Sequence, residues 1–300
     1  MIALMGAAGN VGSKVADLLV GAGEGVRALQ HSRPLTELRE RGAEVVAGDA
    51  MSVDELRAFL AGADSALVML PENVADPAFV EDRRVMNGAI REALSASAVP
   101  HVVALSTVGA ARADAPGPPG GLYEFEQSLV ELDANVLVLR SAAYMDYLLA
   151  SVPMIQARKM NGSAVKADVR YPLVATQDVA REAAERLRLR DFTGHEVKLL
   201  LGPEDISMSE ATKVIGSRLG IPDLRYVEFP PGDVRVALEG AGMSPQVARL
   251  LVDMQLALNE GVYFEGVRRT PESTTPTRFE GFVAQALSQA ATIEEKDDAR

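Results

Sequence analysis

Neither cysteine nor tryptophan occurs among the 300 residues, and histidine occurs three times. Without cysteine there is no disulfide, no thiol nucleophile and no thiolate metal site. His31, His101 and His195 lack ligand spacing, so no metal is expected and each reads as a surface or strand-end residue. Positive charge is scarce as well. Thirty Lys and Arg stand against 42 Asp and Glu, a net charge of −12. Nucleic acid and anionic membranes call for clustered Lys and Arg, so direct nucleic-acid binding and a membrane partner are not expected. No apolar run approaches membrane-spanning length. The first strand is expected to begin at residue 1, leaving no room for a signal peptide. What remains, with 48% hydrophobic and 24% charged residues, is a globular chain long enough for one large or two modest domains. A cytoplasmic enzyme or binding protein with a small-molecule substrate, monomeric or homodimeric, is the expectation.

The chain is organised around Met1–Gly12, MIALMGAAGNVG. Ile2–Met5 is an apolar run of strand length, and a helical pattern starts with Val11, Val15, Leu18 and Leu19. Between them Gly6, Gly9 and Gly12 follow at Gly-x-x-Gly-x-x-Gly spacing. Strand, glycine turn and helix in that order bring free amides and a positive helix end to one point, a site for a pyrophosphate. Gly6 would allow the tight turn, Gly9 the approach of the ligand, and Gly12 close packing of helix on strand.

Further strands are expected at Val26–Leu29, Glu44–Ala47, Ala66–Leu70, His101–Leu105 and Val136–Leu139. Helical patterns at Leu35–Arg41, Val53–Leu60, Pro77–Ser97 and Leu122–Leu132 alternate with them. That alternation specifies a doubly wound parallel α/β sheet covered on both faces. The Gly- and Pro-rich stretch Gly109–Gly121 reads either as a mobile lid over the ligand crevice or as a disordered surface loop. Beyond Arg140 the alternation loosens. Tyr144–Lys159 reads as one helix interrupted by Pro153, Ser207-x-x-Glu210 as a capping box, and Ser244-Pro245 as a helix start. An apolar stripe of Leu250, Leu251, Met254 and Leu258 marks the last of these helices. The division expected is residues 1–140 for the nucleotide domain, 141–288 for a smaller α-rich substrate region that can lend strands to the main sheet, and 289–300 for a flexible tail.

The residues near the end of the second strand, Leu29-Gln30-His31-Ser32-Arg33, include no acid to accept hydrogen bonds from a ribose 2′-hydroxyl. Arg33, helped by Ser32, Gln30 or His31, points instead to a 2′-phosphate, hence to NADP(H) over NAD(H). Asp49 either orients the adenine or caps the turn into the next helix.

Together these features resemble the NmrA-like branch of atypical short-chain dehydrogenases/reductases, most of all its NADPH-dependent quinone oxidoreductases. The matching stretches are Met1–Gly12, Gly48-Asp49, Leu70-Pro71, Leu105–Gly109, Leu139-Arg140 with Tyr144-Met145, and Thr176–Ala180. The resemblance implies a Rossmann-type domain with a smaller C-terminal substrate domain, and NADP(H) held between the two. It places cofactor contacts on Gly6, Ala8, Gly9, Asn10, Val11, Arg33, Leu70, Pro71 and Ser106, with Tyr144 near nicotinamide and substrate. Thr107, Tyr123, Tyr144, Asp146 and Tyr147 are the candidate substrate pocket.

One departure matters. Reductases of the broader superfamily use Tyr-x-x-x-Lys, in which Lys lowers the pKa of the proton-giving Tyr. Here Tyr123 is followed four residues on by Gln127, and Gly121–Glu124 holds no Lys or His. No catalytic residue is therefore assigned. Two functions stay open: hydride transfer to a small acceptor such as a quinone, or a silent NADP(H) sensor acting through a protein partner.

Overall fold

Seven parallel strands form the centre of the molecule, and in the first of them alternate side chains enter opposite cores. The computed structural model describes residues 1–298, with side chains through residue 289. In chain order the first half contains β1 (Ile2–Leu4), α1 (Gly12–Gly21), β2 (Val26–Gln30), α2 (Thr36–Glu40), β3 (Glu44–Ala47) and α3 (Val53–Leu60). It continues with β4 (Ser65–Val68), α4 (Phe79–Ser97), β5 (His101–Thr107), α5 (Pro119–Leu129) and β6 (Asn135–Ser141). There follow β7 (Ala143–Tyr144), α6 (Met145–Leu149), α7 (Val152–Arg158), β8 (Met160–Ser163), β9 (Arg170–Val174), α8 (Thr176–Leu189) and β10 (His195–Leu200). The chain closes with β11 (Asp205–Ser207), α9 (Met208–Arg218), β12 (Arg225–Glu228), α10 (Pro231–Gly240), α11 (Pro245–Asn259) and α12 (Phe279–Asp298).

The main sheet has the order β10-β6-β5-β4-β1-β2-β3, parallel throughout. Ile2 and Leu4 of β1 join Val15 and Leu19 of α1 and Val179 and Leu187 of α8 on one face. Ala3 and Met5 join Phe59 of α3, Ile90 of α4 and Phe125 of α5 on the other. A strand period of two, with apolar residues at both parities, is what a sheet sandwiched between helix layers requires. Because β1 lies between β2 and β4, the chain reverses direction across the sheet at β1. In such sheets the crevice beyond the strand ends opens at that reversal.

Elements from the two sides of residue 140 pack together: β10 pairs with β6 and α8 packs on α1. The other C-terminal elements have their own core of Met145, Ile155, Tyr171, Leu173, Ile215 and Phe279. Two small sheets, β11-β9-β7 and β12-β8, belong to it. No helix is long and apolar enough to cross a membrane among the described residues.

Four local expectations come out differently. The Gly109–Gly121 stretch is not a disordered surface loop. It holds a 3-10 turn at Val108–Ala111 and the first residues of α5, with Ala115 and Pro119 buried. Tyr263 Oη donates to the Pro116 carbonyl at 2.7 Å and fastens it to the C-terminal part. Tyr144–Lys159 is not one helix but a short strand and two helices, with Pro153 in the first turn of α7, where its missing N–H costs nothing. The buried face of α11 is Val247, Ala248, Val252, Ala257 and Leu258, because the helix lies between two apolar clusters; Leu250, Leu251 and Met254 are half-buried. The backbone of residues 289–298, expected as a tail, belongs to α12; residues 299 and 300 lie outside the described residues. The capping box at Ser207 and Glu210 and the Ser244 N-cap form as expected.

Candidate functional site

Between β1 and α1 the chain turns back on itself tightly enough to need glycine. Gly6 has φ +70°, a left-handed conformation, and its carbonyl accepts from the Gly9 amide at 2.8 Å. A Cβ on Gly12 would lie 2.1 Å from that same carbonyl oxygen. Any side chain there would force the helix off the turn. Ala8, Gly9 and Asn10 form the outer rim of the turn, and Val11 and Gly12 lead into α1 buried. The N-cap Val11 offers no side-chain acceptor, and the first turn of α1 holds no acid. The orphan amides and positive end are left for a ligand. An uncapped helix end behind a loop that leaves no room for a Cβ fits a pyrophosphate.

The loops after β2, β3 and β4 lie along the same strand ends as this turn. Arg33, in the exposed loop after β2, reaches across so that its Nη1 donates to the Ala8 carbonyl at 3.3 Å. His31 and Ser32 share that loop, whereas Gln30 Oε1 is spent accepting from the Leu35 amide at 2.9 Å. Asp49 Oδ1 accepts from the Met51 amide at 2.9 Å and thereby caps the turn into α3. Leu70 and Pro71 follow β4, Leu70 buried and Pro71 half-buried.

At the ends of β5 and β6 polar side chains are paired with one another. Ser106 is buried and its hydroxyl donates to Glu126 of α5. Glu126, 4% exposed, takes a two-pronged bond from Arg140 of β6, Nε to Oε1 at 3.0 Å and Nη2 to Oε2 at 2.6 Å. Ser141 Oγ donates to the Ser106 carbonyl and hydrogen-bonds with the Tyr144 hydroxyl, both at 3.0 Å. Thr107 Oγ1 donates to the Ser141 carbonyl at 3.2 Å. Burial, opposed by the Ser141 hydrogen bond, raises the Tyr144 pKa, and burial likewise raises that of Tyr147, whose ring lies 5.5 Å from the Tyr144 ring. Tyr147 is 57% exposed. Tyr123 sits half-buried on α5 with Gln127 exposed one turn later.

Asp146 faces the glycine turn. Lys14 Nζ donates to Thr176 Oγ1 at 2.9 Å, and Thr176 Oγ1 donates to Asp146 Oδ1 at 2.7 Å. The same Lys14 donates to the Asn10 carbonyl at 2.9 Å, tying α1, α6 and α8 together beside the turn. Sequence reasoning passed over Lys14, Glu126 and Ser141, and it quoted Thr176 within a matching stretch without giving it a role. For Glu126 a signal was available: it adjoins the Gln127 that breaks the Tyr-x-x-x-Lys pattern, and Arg140 lies in a stretch already singled out.

A family model described as NAD(P)H-binding matches residues 6–189. No curated protein matches the sequence. Among solved structures the chain is similar to an NADPH-dependent quinone oxidoreductase from Escherichia coli complexed with NADPH, 20% identical over 96% of this chain and 100% of that one, TM-score 0.78. It is similar to the Citrobacter sp. triphenylmethane reductase complexed with NADP(H), 17% identical over 95% and 100%, TM-score 0.77. It is also similar to NmrA, a negative transcriptional regulator in complex with NADP, 16% identical over 100% and 97%, TM-score 0.72.

Proposed function

The chain belongs to the NAD(P)H-binding family, and from that premise we propose that it passes hydride from NADPH to a small acceptor such as a quinone. The observation that carries this reading is the uncapped end of α1 behind the Gly6–Gly12 turn, with Arg33 at its rim. The α1 amides would hold the pyrophosphate and Arg33 the 2′-phosphate, and Leu70 and Pro71 would add apolar cofactor contacts. Reduced nicotinamide supplies the hydride when bound. The Ser106–Glu126–Arg140 and Ser141–Tyr144 bonds fix the floor on which an acceptor would rest, against Tyr144 and Tyr147. Burial keeps the Tyr144 hydroxyl neutral and a poor acid at neutral pH, so the proton that completes quinone reduction comes from water. The protein's part is position.

A second reading, a silent sensor of NADP(H) acting on a protein partner, is favoured by one feature: Gln127 in place of the lysine that would activate Tyr123. Steady-state NADPH oxidation with a panel of quinones and aldehydes separates the two. Turnover with quinones and little with aldehydes is expected. No turnover with any acceptor, joined to a large affinity difference between NADP⁺ and NADPH, decides for the sensor.

A further inference from the structure

Arg83 of α4 is buried without being satisfied. Its side chain is 5% exposed and lies 5.1 Å from the centre of the Phe79 ring. Its Nε and Nη2 have no hydrogen-bond partner among the described residues. The carboxylate in reach, Glu72 Oε1, stops 3.9 Å from Nη1, beyond hydrogen-bond distance. A guanidinium stays charged at any ordinary pH, so buried donors left idle are a cost to the fold. Burial lowers the Arg83 pKa and Glu72 opposes that.

The guanidinium points at the beginning of another helix. A Cβ on Gly121 would lie 3.8 Å from Arg83 Cζ and 3.9 Å from Nε. Gly121 stands in the first turn of α5, which has no side-chain cap and no acidic residue. Pro118 and Pro119 carry no N–H and the Gly120 amide is bonded to the Gly117 carbonyl at 3.3 Å, so it is the Gly121 amide that converges with this fixed cation. Glu72, 46% exposed on the loop after Pro71, lies within electrostatic reach of Arg83 and of the Tyr144–Tyr147 pair.

We infer that Arg83 and the Gly121 amide at the start of α5 form an anion subsite of the acceptor pocket, and that the acceptor is an aromatic molecule bearing a carboxylate. Its ring lies against Tyr144 and Tyr147, and its carboxylate takes the position that Glu72 now holds loosely. Glu72 is the stand-in that the incoming acid displaces. This rests on the reading of that pocket as the acceptor's.

Calorimetry of the full chain, saturated with NADP⁺ and titrated with benzoate or with benzamide as the neutral control, tests it. Benzoate is expected to bind at least about tenfold more tightly than benzamide, and Arg83→Met to abolish that preference. Glu72→Gln, which leaves Arg83 in place, is expected to tighten benzoate several-fold. Equal binding of the two probes, binding of neither, a preference that survives Arg83→Met, or no gain in Glu72→Gln overturns the subsite. A benzoate preference in a protein that reduces no quinone removes the hydride reading and leaves the subsite standing. Ready reduction of neutral naphthoquinones without a benzoate preference does the reverse.

Discussion

The two ends of the crevice are built on opposite plans. At the β1 end donors are left over: the amides of α1 have no cap and Arg33 holds only a carbonyl at 3.3 Å. At the β5–β6 end Ser106, Glu126, Arg140, Ser141 and Thr107 are spent on one another. An end that keeps its donors idle is suited to catching a ligand, and an end that satisfies them internally is suited to keeping a shape. Under the proposed hydride transfer, the difference puts the protein's contribution in placement and not in a proton relay.

The strongest blow to this contrast is Arg140→Met. Removing one member of a buried pair leaves the Glu126 carboxylate uncompensated, and urea unfolding should show a loss of about 3–5 kcal/mol. Affinity for NADPH, measured on the folded variant, should stay close to wild type. A large drop in NADPH affinity would merge the two ends into one. Gly12→Val strikes the other end. Its Cβ would collide with the Gly6 carbonyl oxygen, so the turn must open, and NADPH affinity by calorimetry should fall about a hundredfold. Unchanged affinity would mean that the turn is not where the phosphates sit. Arg33→Glu is the mildest and the most discriminating. It should weaken NADP(H) binding about tenfold and leave NAD(H) binding nearly unchanged, since only the 2′-phosphate meets the new charge. Equal weakening of both would take that role from Arg33.

Much of the catching end was legible in the sequence, because its information is local. Gly6 to Gly12 impose a turn through their own lack of side chains, and β3 and α3 have the bounds that hydrophobic period alone assigns. The shape-keeping end was not legible. Glu126 and Arg140 are 14 residues apart on a helix and a strand, and although each lies in or beside a stretch singled out in the sequence, nothing there pairs the two. Arg83 reads as one more charge on an amphipathic helix until α5 is laid over it. The Gly- and Pro-rich stretch was misread for a related reason. Composition reports what a segment does when left alone, and this segment is held by a tyrosine 147 residues further on.

That single tyrosine bond has a consequence for how the molecule holds together. Since Tyr263 ties Pro116 to the C-terminal part, the stability of one segment is lent to the other. Replacing Tyr263 with Phe keeps the buried ring and removes the bond alone, at an expected cost of about 1 kcal/mol in urea unfolding.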